Sequence, residues 1–232
     1  MDARRRTYDE LRTQFTAAVS HELRTPVARV LALLDTALLP DADTRTLVER
    51  AREEVEDMGE LIDDVLFLSE LETGREIVAL GTTRAAPILE QGLTAVRESA
   101  ERAGVTLSLD ADPDLELPLR PRMLRVLVQN LVVNAIRHAG PGTTFTLSLR
   151  REGEDAALSA CDDGVGVPDA ELSRLFERFY RGDRARTSRG TGLGLAIVKH
   201  IVTAAGGTVE ARRPTGGGLE IRSEFPGYGS AP

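Results

Sequence analysis

The sequence predicts an α+β protein made of two parts, a helical hairpin followed by a sheet that helices cover on one face. In the first part, apolar residues recur every three or four positions along two stretches, which Pro40-Asp41-Ala42-Asp43 separates. In the second part, alternating apolar residues typical of strands are interleaved with helical patterns. Thr73-Gly74-Arg75 divides the parts, so we expect one domain over residues 1–73 and another over residues 74–232.

The composition limits the classes of function. The formal net charge of -8 argues against binding nucleic acid by neutralising its phosphates. Cys161 is the only cysteine, which excludes an internal disulfide and favours a reducing compartment. No apolar run approaches the roughly 20 residues that span a bilayer. We therefore expect a cytoplasmic chain. The alternative is that the chain is the inner portion of an inner-membrane protein, with a membrane or sensor segment upstream.

The hairpin is predicted from two long apolar stripes. The first helix runs from about Tyr8 to Leu39, and the second begins with Asp43 or Thr44 as its N-cap and continues toward Leu71. Because two helices alone cannot bury both stripes, we expect a homodimer in which two hairpins form a four-helix bundle. The alternative is a hairpin docked onto the rest of the same chain.

His21 lies within the first helix, in the sequence Ser20-His21-Glu22-Leu23-Arg24-Thr25-Pro26. Thr25 follows His21 by one helical turn on the same face, and Pro26 disturbs the backbone hydrogen bond to Glu22. Local distortion is often retained where chemistry takes place, so the pattern favours an imidazole presented to other molecules. The alternative is an ordinary surface histidine.

The helices and strands of the second part are predicted from the spacing of apolar residues and from the positions of proline and glycine. A helix opens at Ala86-Pro87 and extends to Ala100, and another starts at Pro121 and runs to about Ala139. A last helix follows Gly194 and stops at Gly206-Gly207. Strands are expected near residues 105–109, 145–149, 156–160, 208–212 and 219–221, the last two joined by a turn at residues 214–217.

Polar residues share one face of the helix that starts at Pro121. Asn130, Asn134 and His138 are spaced by four, with Arg137 at the margin of the same face. Asparagine is a poor helix former, and an amide oxygen is a suitable neutral ligand for hydrated Mg²⁺. The face therefore indicates contact with a polar ligand, although a pair of solvated amides is the alternative.

The sequence Asp162-Asp163-Gly164-Val165-Gly166 ends a predicted strand. Asp162 keeps the phase of the apolar residues before it, so its carboxylate should point inward at the edge of the core. A buried acid needs a hydrogen-bond donor, which the exocyclic amine of adenine provides, and Gly164 and Gly166 let a backbone approach a flat base closely. The alternative is a glycine turn beside an acid.

A second glycine-rich sequence, Gly190-Thr191-Gly192-Leu193-Gly194, precedes the last helix, where backbone N–H groups can meet phosphate oxygens. It lacks the lysine of a Walker loop and the early βαβ context of a dinucleotide site. Before it, the aromatic residues Phe176 and Phe179 lead into the basic tract from Arg181 to Arg189. The whole segment from Pro168 to Arg189 is predicted to be a lid whose arginines fold over phosphates. The alternative is an ordinary surface loop with an aromatic anchor.

Together these motifs resemble those of the sensor histidine kinases of two-component signalling, in the same order and across nearly the whole chain. The resemblance matches five segments to a phosphoacceptor box, an asparagine box, a first glycine box, a phenylalanine box and a second glycine box: residues 21–26, 130–138, 162–166, 176–179 and 190–194. It implies a dimerisation and phosphotransfer bundle followed by a Bergerat-type α/β sandwich, the ATP-binding domain shared with gyrase, mismatch-repair and heat-shock chaperone ATPases.

The resemblance also implies a role for each matched residue. Asn134 would hold Mg²⁺, Asp162 would bind the adenine amine, and Arg181 would reach phosphate. The remaining nucleotide contacts would come from the asparagine box and both glycine boxes: Asn130, Arg137, His138, Gly164, Gly166, Gly190, Thr191, Gly192, Leu193 and Gly194. The family usually has lysine and then tyrosine or histidine where this chain has Arg137 and His138.

The implied reaction is phosphorylation of His21 by ATP, with Glu22 orienting the imidazole, and transfer of the phosphoryl group to an aspartate of a response-regulator receiver domain. Thr25 would position water for dephosphorylation of that regulator. Two other functions stay open at this point. One is a dimeric scaffold that binds nucleotide without phosphotransfer, and the other is an ATPase of the chaperone and gyrase type that forms no phosphohistidine.

Overall fold

The structure is a computed structural model that describes residues 2–72, 81–182 and 190–227, with the backbone alone for residues 2–16 and 72. The chain divides into two compact units, Met1–Phe67 and Leu68–Pro232. The predicted domain boundary after residue 73 adjoins residues 73–80, outside the described residues, and stays a prediction. Within the described ranges, no helix combines the length and apolar character needed to cross a bilayer.

The first unit contains the predicted helical hairpin, apart from residues 68–72 at the end of its second helix, which belong to the second unit. Helix α1 spans Asp2–Ala37 and continues through Pro26, and helix α2 spans Thr44–Glu72. The N-cap of α2 is Asp43, whose Oδ1 accepts a hydrogen bond of 3.2 Å from the backbone N–H of Thr46. A hydrogen bond from the Thr46 side chain, and then this backbone bond, lower the pKa of the Asp43 carboxyl. The cap and the helix period together fix where the second helix begins.

The second unit is built on a five-stranded sheet. Its strands are β2 (Val105–Ala111), β4 (Thr143–Glu152), β5 (Asp155–Asp162), β6 (Thr208–Arg212) and β7 (Leu219–Phe225), in the order β2-β4-β5-β7-β6. The β2–β4 pair is parallel and the other neighbours are antiparallel. Short strands β1 (Thr83–Arg84) and β3 (Glu116–Leu117) form a separate antiparallel pair. All strands predicted from alternation are present.

Helices cover one face of this sheet. They are α3 (Ala86–Ala95), α4 (Arg97–Ala103), α5 (Pro121–His138) and α7 (Gly194–Ala204), while α6 (Asp169–Leu172) is a single turn. The core between sheet and helices is apolar, and its largest fully buried side chains include Phe145, Leu158 and Phe225. The other face carries polar pairs, such as the Ser159 hydroxyl on Glu220 and the Arg222 guanidinium on Glu152. The α+β prediction is confirmed.

One predicted helix was wrong. The apolar period from Leu89 to Ala100 predicted a continuous helix, but the structure has two, because Val96 leaves helical geometry at φ -110° and ψ 6°. Helix α4 then ends at Gly104, whose φ of 71° is left-handed and favours glycine. Leu93 and Ala100 are both buried in their separate helices. The apolar spacing therefore predicted the buried face correctly, although it did not predict the break.

Candidate functional site

The residues predicted for phosphate acceptance lie in the first unit. His21 is exposed on α1, as is Thr25, whereas Glu22 is half-buried. The Thr25 hydroxyl donates a hydrogen bond of 3.4 Å to the carbonyl oxygen of His21, one turn earlier. Since Pro26 has no N–H to donate, this side-chain bond supports the helix where the backbone ladder is weakened. The imidazole is therefore accessible on a continuous helix, and the roles of Glu22 and Thr25 stay predictions.

The other predicted residues lie in the second unit, beginning with the polar face of α5. Asn130 and Asn134 are half-buried, and Arg137 and His138 are exposed at the end of the helix. Asn130 Nδ2 donates a hydrogen bond of 2.9 Å to the carbonyl oxygen of Val126. This bond fixes the amide group of Asn130 on its helix, with the remaining acceptor, Oδ1, directed at the start of α7.

Asp162 is 7% exposed at the end of β5. Its Oδ1 accepts a hydrogen bond of 2.9 Å from the Gly164 N–H, and the Leu219 N–H also donates to the carboxylate. Burial nonetheless raises the pKa of Asp162, and the charge of Asp163 acts in the same direction. The predicted inward direction of this side chain is correct, and burial disfavours its ionised form.

The first glycine segment packs against protein backbone. A Cβ at Gly164 would overlap the carbonyl of Ala139 at the end of α5, and a Cβ at Gly166, where φ is 64°, would come within 2.6 Å of the Gly218 carbonyl oxygen. The sequence attributes both glycines to the approach of a flat base. The reason visible in the structure is different, because the loop must touch the end of α5 and the β6–β7 turn. Contact with a base stays a prediction.

The second glycine segment closes onto the phenylalanine segment and α5. Gly192 accepts a hydrogen bond of 2.9 Å from the Phe179 N–H, and Phe179 itself has a left-handed φ of 60°. A Cβ at Gly192 would lie 2.9 Å from the Phe179 backbone. A Cβ at Gly194 would lie 2.6 Å from Asn130 Oδ1, so the start of α7 approaches the asparagine face closely. Thr191 Oγ1 accepts a 3.2 Å bond from the Leu193 N–H and tightens this turn.

Positive groups gather where these segments meet. A Cβ at Gly190 would lie 3.6 Å from Arg137 Nη1, which places that guanidinium beside the second glycine segment. The pKa of His138 is lowered, first by desolvation of its ring and then by the charges of Arg137 and Arg181. The structure therefore brings residues of α5 near Arg181, at the start of the basic tract, and this environment disfavours protonation of His138. Lid residues 183–189 lie outside the described residues.

Three contributors were missed in the sequence. Gly218 lies so close to β5 that a Cβ there would overlap the Asp162 carbonyl, and Leu219 donates to the Asp162 carboxylate. Ala139 receives the first glycine segment, and its carbonyl accepts a 3.4 Å bond from the Val165 N–H. The run of three glycines at 216–218 is a visible signal in the sequence, but by itself it predicts only a hairpin turn. The contact of Ala139 has no sequence signal.

Comparison with known proteins agrees with this geometry. Residues 11–74 match the family described as His Kinase A (phospho-acceptor) domain, and residues 119–228 match Histidine kinase-, DNA gyrase B-, and HSP90-like ATPase. The sensor-like histidine kinase SenX3 of Mycobacterium tuberculosis is 34% identical over 221 residues, which cover 93% of this chain and 54% of SenX3. The chain thus spans about half the length of this relative.

Two solved structures are similar as well. ShkA, in complex with AMPPNP, has 27% identity and a TM-score of 0.66, covering 92% of this chain and 45% of ShkA. The histidine kinase ThkA, in complex with the response regulator protein TrrA, has a TM-score of 0.78 over 97% of this chain and 64% of that chain. At 18% identity, ThkA supports the fold alone.

The fold and the matched domains define a protein that joins a phosphoacceptor helical hairpin to an α/β ATPase-like domain. The two family models match in the predicted order, and the alignment with SenX3 covers 93% of this chain. The chain belongs to the sensor histidine kinases of two-component systems.

Proposed function

We propose that this chain transfers the γ-phosphoryl group of ATP to His21 and then passes it to an aspartate of a response-regulator receiver domain. The observation that best supports this proposal is the convergence of α5 with both glycine segments in the second unit. Asn130 meets Gly194, Arg137 lies beside Gly190, and Gly164 packs on Ala139. These are the segments that a nucleotide would need to contact at its phosphates and its base.

The proposed reaction has two steps. An unprotonated ring nitrogen of His21 attacks the γ-phosphorus, a phosphorus–nitrogen bond forms, and the bond to the β-phosphate oxygen breaks so that ADP leaves. The imidazole proton passes to Glu22 or to water. In the second step an aspartate carboxylate of the receiver attacks the phosphorus, and the phosphorus–nitrogen bond breaks. In this proposal the guanidinium groups of Arg137 and Arg181 stabilise the charge on the phosphates.

The amide oxygen of Asn134 suits the proposed role of magnesium ligand. Within the described part of the chain, no three or more His, Cys, Asp or Glu side chains form a metal-binding cluster. A metal held by several protein carboxylates therefore does not fit those residues. Mg²⁺ is commonly bound through one or two protein oxygens together with phosphates and water, which one half-buried amide oxygen on α5 allows. When bound, the ion would neutralise charge on the β- and γ-phosphates.

The response regulator is proposed as the partner from the exposure of His21. ThkA, whose fold this chain shares, has been solved with the response regulator TrrA. We further propose that Thr25, one turn after His21, positions water for dephosphorylation of the regulator. Phosphatase activity follows from the family resemblance, and a cytoplasmic location follows from the single cysteine, Cys161. Both stay predictions.

The kinase proposal is tested by incubating the purified full chain with γ-labelled ATP and Mg²⁺. The expected product carries a phosphoryl group that acid removes, located by mass spectrometry on the peptide that contains His21, and loses it to a receiver domain added afterwards. A chain that binds ATP but never becomes labelled would favour the scaffold. Steady release of phosphate without a labelled protein would favour the ATPase.

We propose a homodimer from the apolar side chains that the hairpin leaves exposed. On α1, Val27, Leu31, Leu34 and Leu38 are 42–84% exposed and are spaced as one stripe, and on α2, Val48, Val55, Ile62 and Leu66 are 44–57% exposed. Monomeric proteins rarely leave such long apolar stripes in water. A second hairpin would cover both and complete a four-helix bundle.

Replacing Leu31 by glutamate is expected to raise the dimer dissociation constant by at least about tenfold, because each protomer loses the burial of one leucine and gains a desolvated charge. Light scattering after size exclusion gives the measurement. Ala32→Glu is the matched control, since Ala32 is also exposed but lies about 100° around the helix from Leu31. Equal effects of the two substitutions would contradict a dimer built on this stripe.

Asp162→Asn is expected to weaken ATP binding by roughly ten- to a hundredfold, since the carboxylate acceptor for the adenine amine is replaced by an amide. Without nucleotide, the same variant should melt at a higher temperature at pH 7. The folded pKa of Asp162 is raised, so the stabilisation from its protonated form is lost as pH rises from the unfolded pKa through the folded one. Titration calorimetry measures the affinity for ATP. Scanning calorimetry at pH 7 and below pH 3.8 compares the melting temperatures of the two proteins, and their difference should vanish below pH 3.8.

A further inference from the structure

The β6–β7 turn, residues 213–218, holds the loop that follows Asp162. We call residues 163–169 the Asp162 loop. Arg213 Nη2 donates a hydrogen bond of 3.0 Å to the carbonyl oxygen of Val167, and Arg213 Nε lies 3.8 Å from Asp169 Oδ1. A single side chain therefore ties the end of β6 to the far end of this loop.

The same turn contacts the near end of the loop through its backbone. Gly218 packs against the Asp162 carbonyl, and a Cβ at Gly166 would lie 2.6 Å from the Gly218 carbonyl oxygen. The turn is itself closed by a 3.0 Å hydrogen bond from the Gly217 N–H to the Pro214 carbonyl oxygen. The β6–β7 turn is therefore closed by its own hydrogen bond and contacts both ends of the Asp162 loop.

The two ends are held by different means. At the near end, close backbone contacts leave Gly218 and Gly166 little room to move. At the far end the loop leads directly into α6, a helix of four residues with no buried side chain, so Arg213 supplies a contact that packing does not. The ion pair with Asp169 is exposed on both sides, at 49% and 79%, and contributes little by itself. The hydrogen bond to Val167 is the more directional contact.

We infer that Arg213 is a positioning residue, which fixes the Asp162 loop so that the Asp162 carboxylate meets the adenine amine and thereby selects adenine. The inference rests on the proposed nucleotide function. A loop that is already held in place loses less conformational freedom when the base binds. Loosening its far end should therefore reduce the contribution of the hydrogen bond between Asp162 and the amine.

The test compares Arg213→Ala with Arg212→Ala in the full chain. Arg212 is the adjacent arginine on β6 and pairs with Glu210, away from the loop, so it is a matched control. Dissociation constants are measured by calorimetry for ADP and for inosine diphosphate, which has a carbonyl oxygen in place of the amine. Arg213→Ala is expected to weaken ADP binding by roughly fivefold, the factor of one typical hydrogen bond, and to leave inosine diphosphate unchanged.

Two further measurements separate positioning from general destabilisation. Without nucleotide, amide hydrogen exchange of the peptide that covers residues 163–169 should be faster in Arg213→Ala than in Arg212→Ala. Arg213→Lys retains a charged donor for the Val167 carbonyl and should recover most of the preference for ADP. Equal weakening of both nucleotides, unchanged exchange, or a lysine variant as weak as alanine would each overturn the inference.

Failure of the inference can be told apart from failure of the proposed function. A wild-type chain that binds no ADP, or binds ADP and inosine diphosphate equally, contradicts the nucleotide role of Asp162 and the inference with it. A wild-type chain that prefers ADP, together with an Arg213→Ala variant that keeps the same preference, contradicts the role of Arg213 alone.

Discussion

Replacing His21 by glutamine is expected to abolish phosphorylation of the chain by ATP while leaving nucleotide binding unchanged. Glutamine preserves a polar side chain on the exposed face of α1 and has no ring nitrogen that could form the phosphorus–nitrogen bond. The nucleotide segments belong to the second unit, whereas His21 belongs to the first, so its loss does not alter their packing. Acid-labile label and the dissociation constant of ADP are measured on the same preparation.

His200→Gln is the matched control for this experiment. His200 is a half-buried histidine on α7, and neither the site geometry nor the family motifs give it a role. The chain has three histidines. Because His138 lies in the proposed nucleotide site, His200 is the histidine left for comparison with His21. Acid-labile label that persists in His21→Gln and disappears in His200→Gln would contradict the assignment of His21.

Replacing Gly218 by alanine is expected to destabilise the second unit by about 3 kcal/mol, which corresponds to a fall in melting temperature of roughly 10 °C. Two causes act together. The φ of Gly218 is 83°, in the left-handed region where a side chain is strained, and the new Cβ would overlap the Asp162 carbonyl. Since a backbone group cannot move aside as a flexible side chain does, the turn or the end of β5 must shift, and ADP affinity should fall as well.

Gly216→Ala tests whether the effect comes from geometry or from removing any glycine of this turn. Gly216 is two residues earlier, a Cβ there would meet nothing within 4 Å, and its φ is not left-handed. Alanine at such a site restricts the unfolded chain and is expected to stabilise the protein slightly, by about 0.5 kcal/mol. Similar losses in both variants, measured by scanning calorimetry, would show that the close contact of Gly218 is not the cause.

Much of the fold was predictable because its signals are local. Apolar spacing located α5 and α7, alternation located the strands, and Pro214 with its following glycines located the β6–β7 turn. The break at Val96 was not predictable, since its neighbours continue the same apolar period and only packing of α3 and α4 against the sheet separates them. The order of the strands in the sheet could not be predicted from these local patterns either, because the pairing of β5 with β7 depends on contacts between distant segments.

The sequence by itself determined the residue types and their order: a histidine before Thr25-Pro26, two asparagines one turn apart, an acid before glycines, and a second glycine segment before a helix. Only the tertiary structure decided what each glycine touches, that Arg181 lies near the His138 imidazole, and that Arg213 reaches Val167. The reason is physical. Periodicity and backbone preference act between near neighbours in the chain, whereas these contacts join residues that approach only after the sheet has formed.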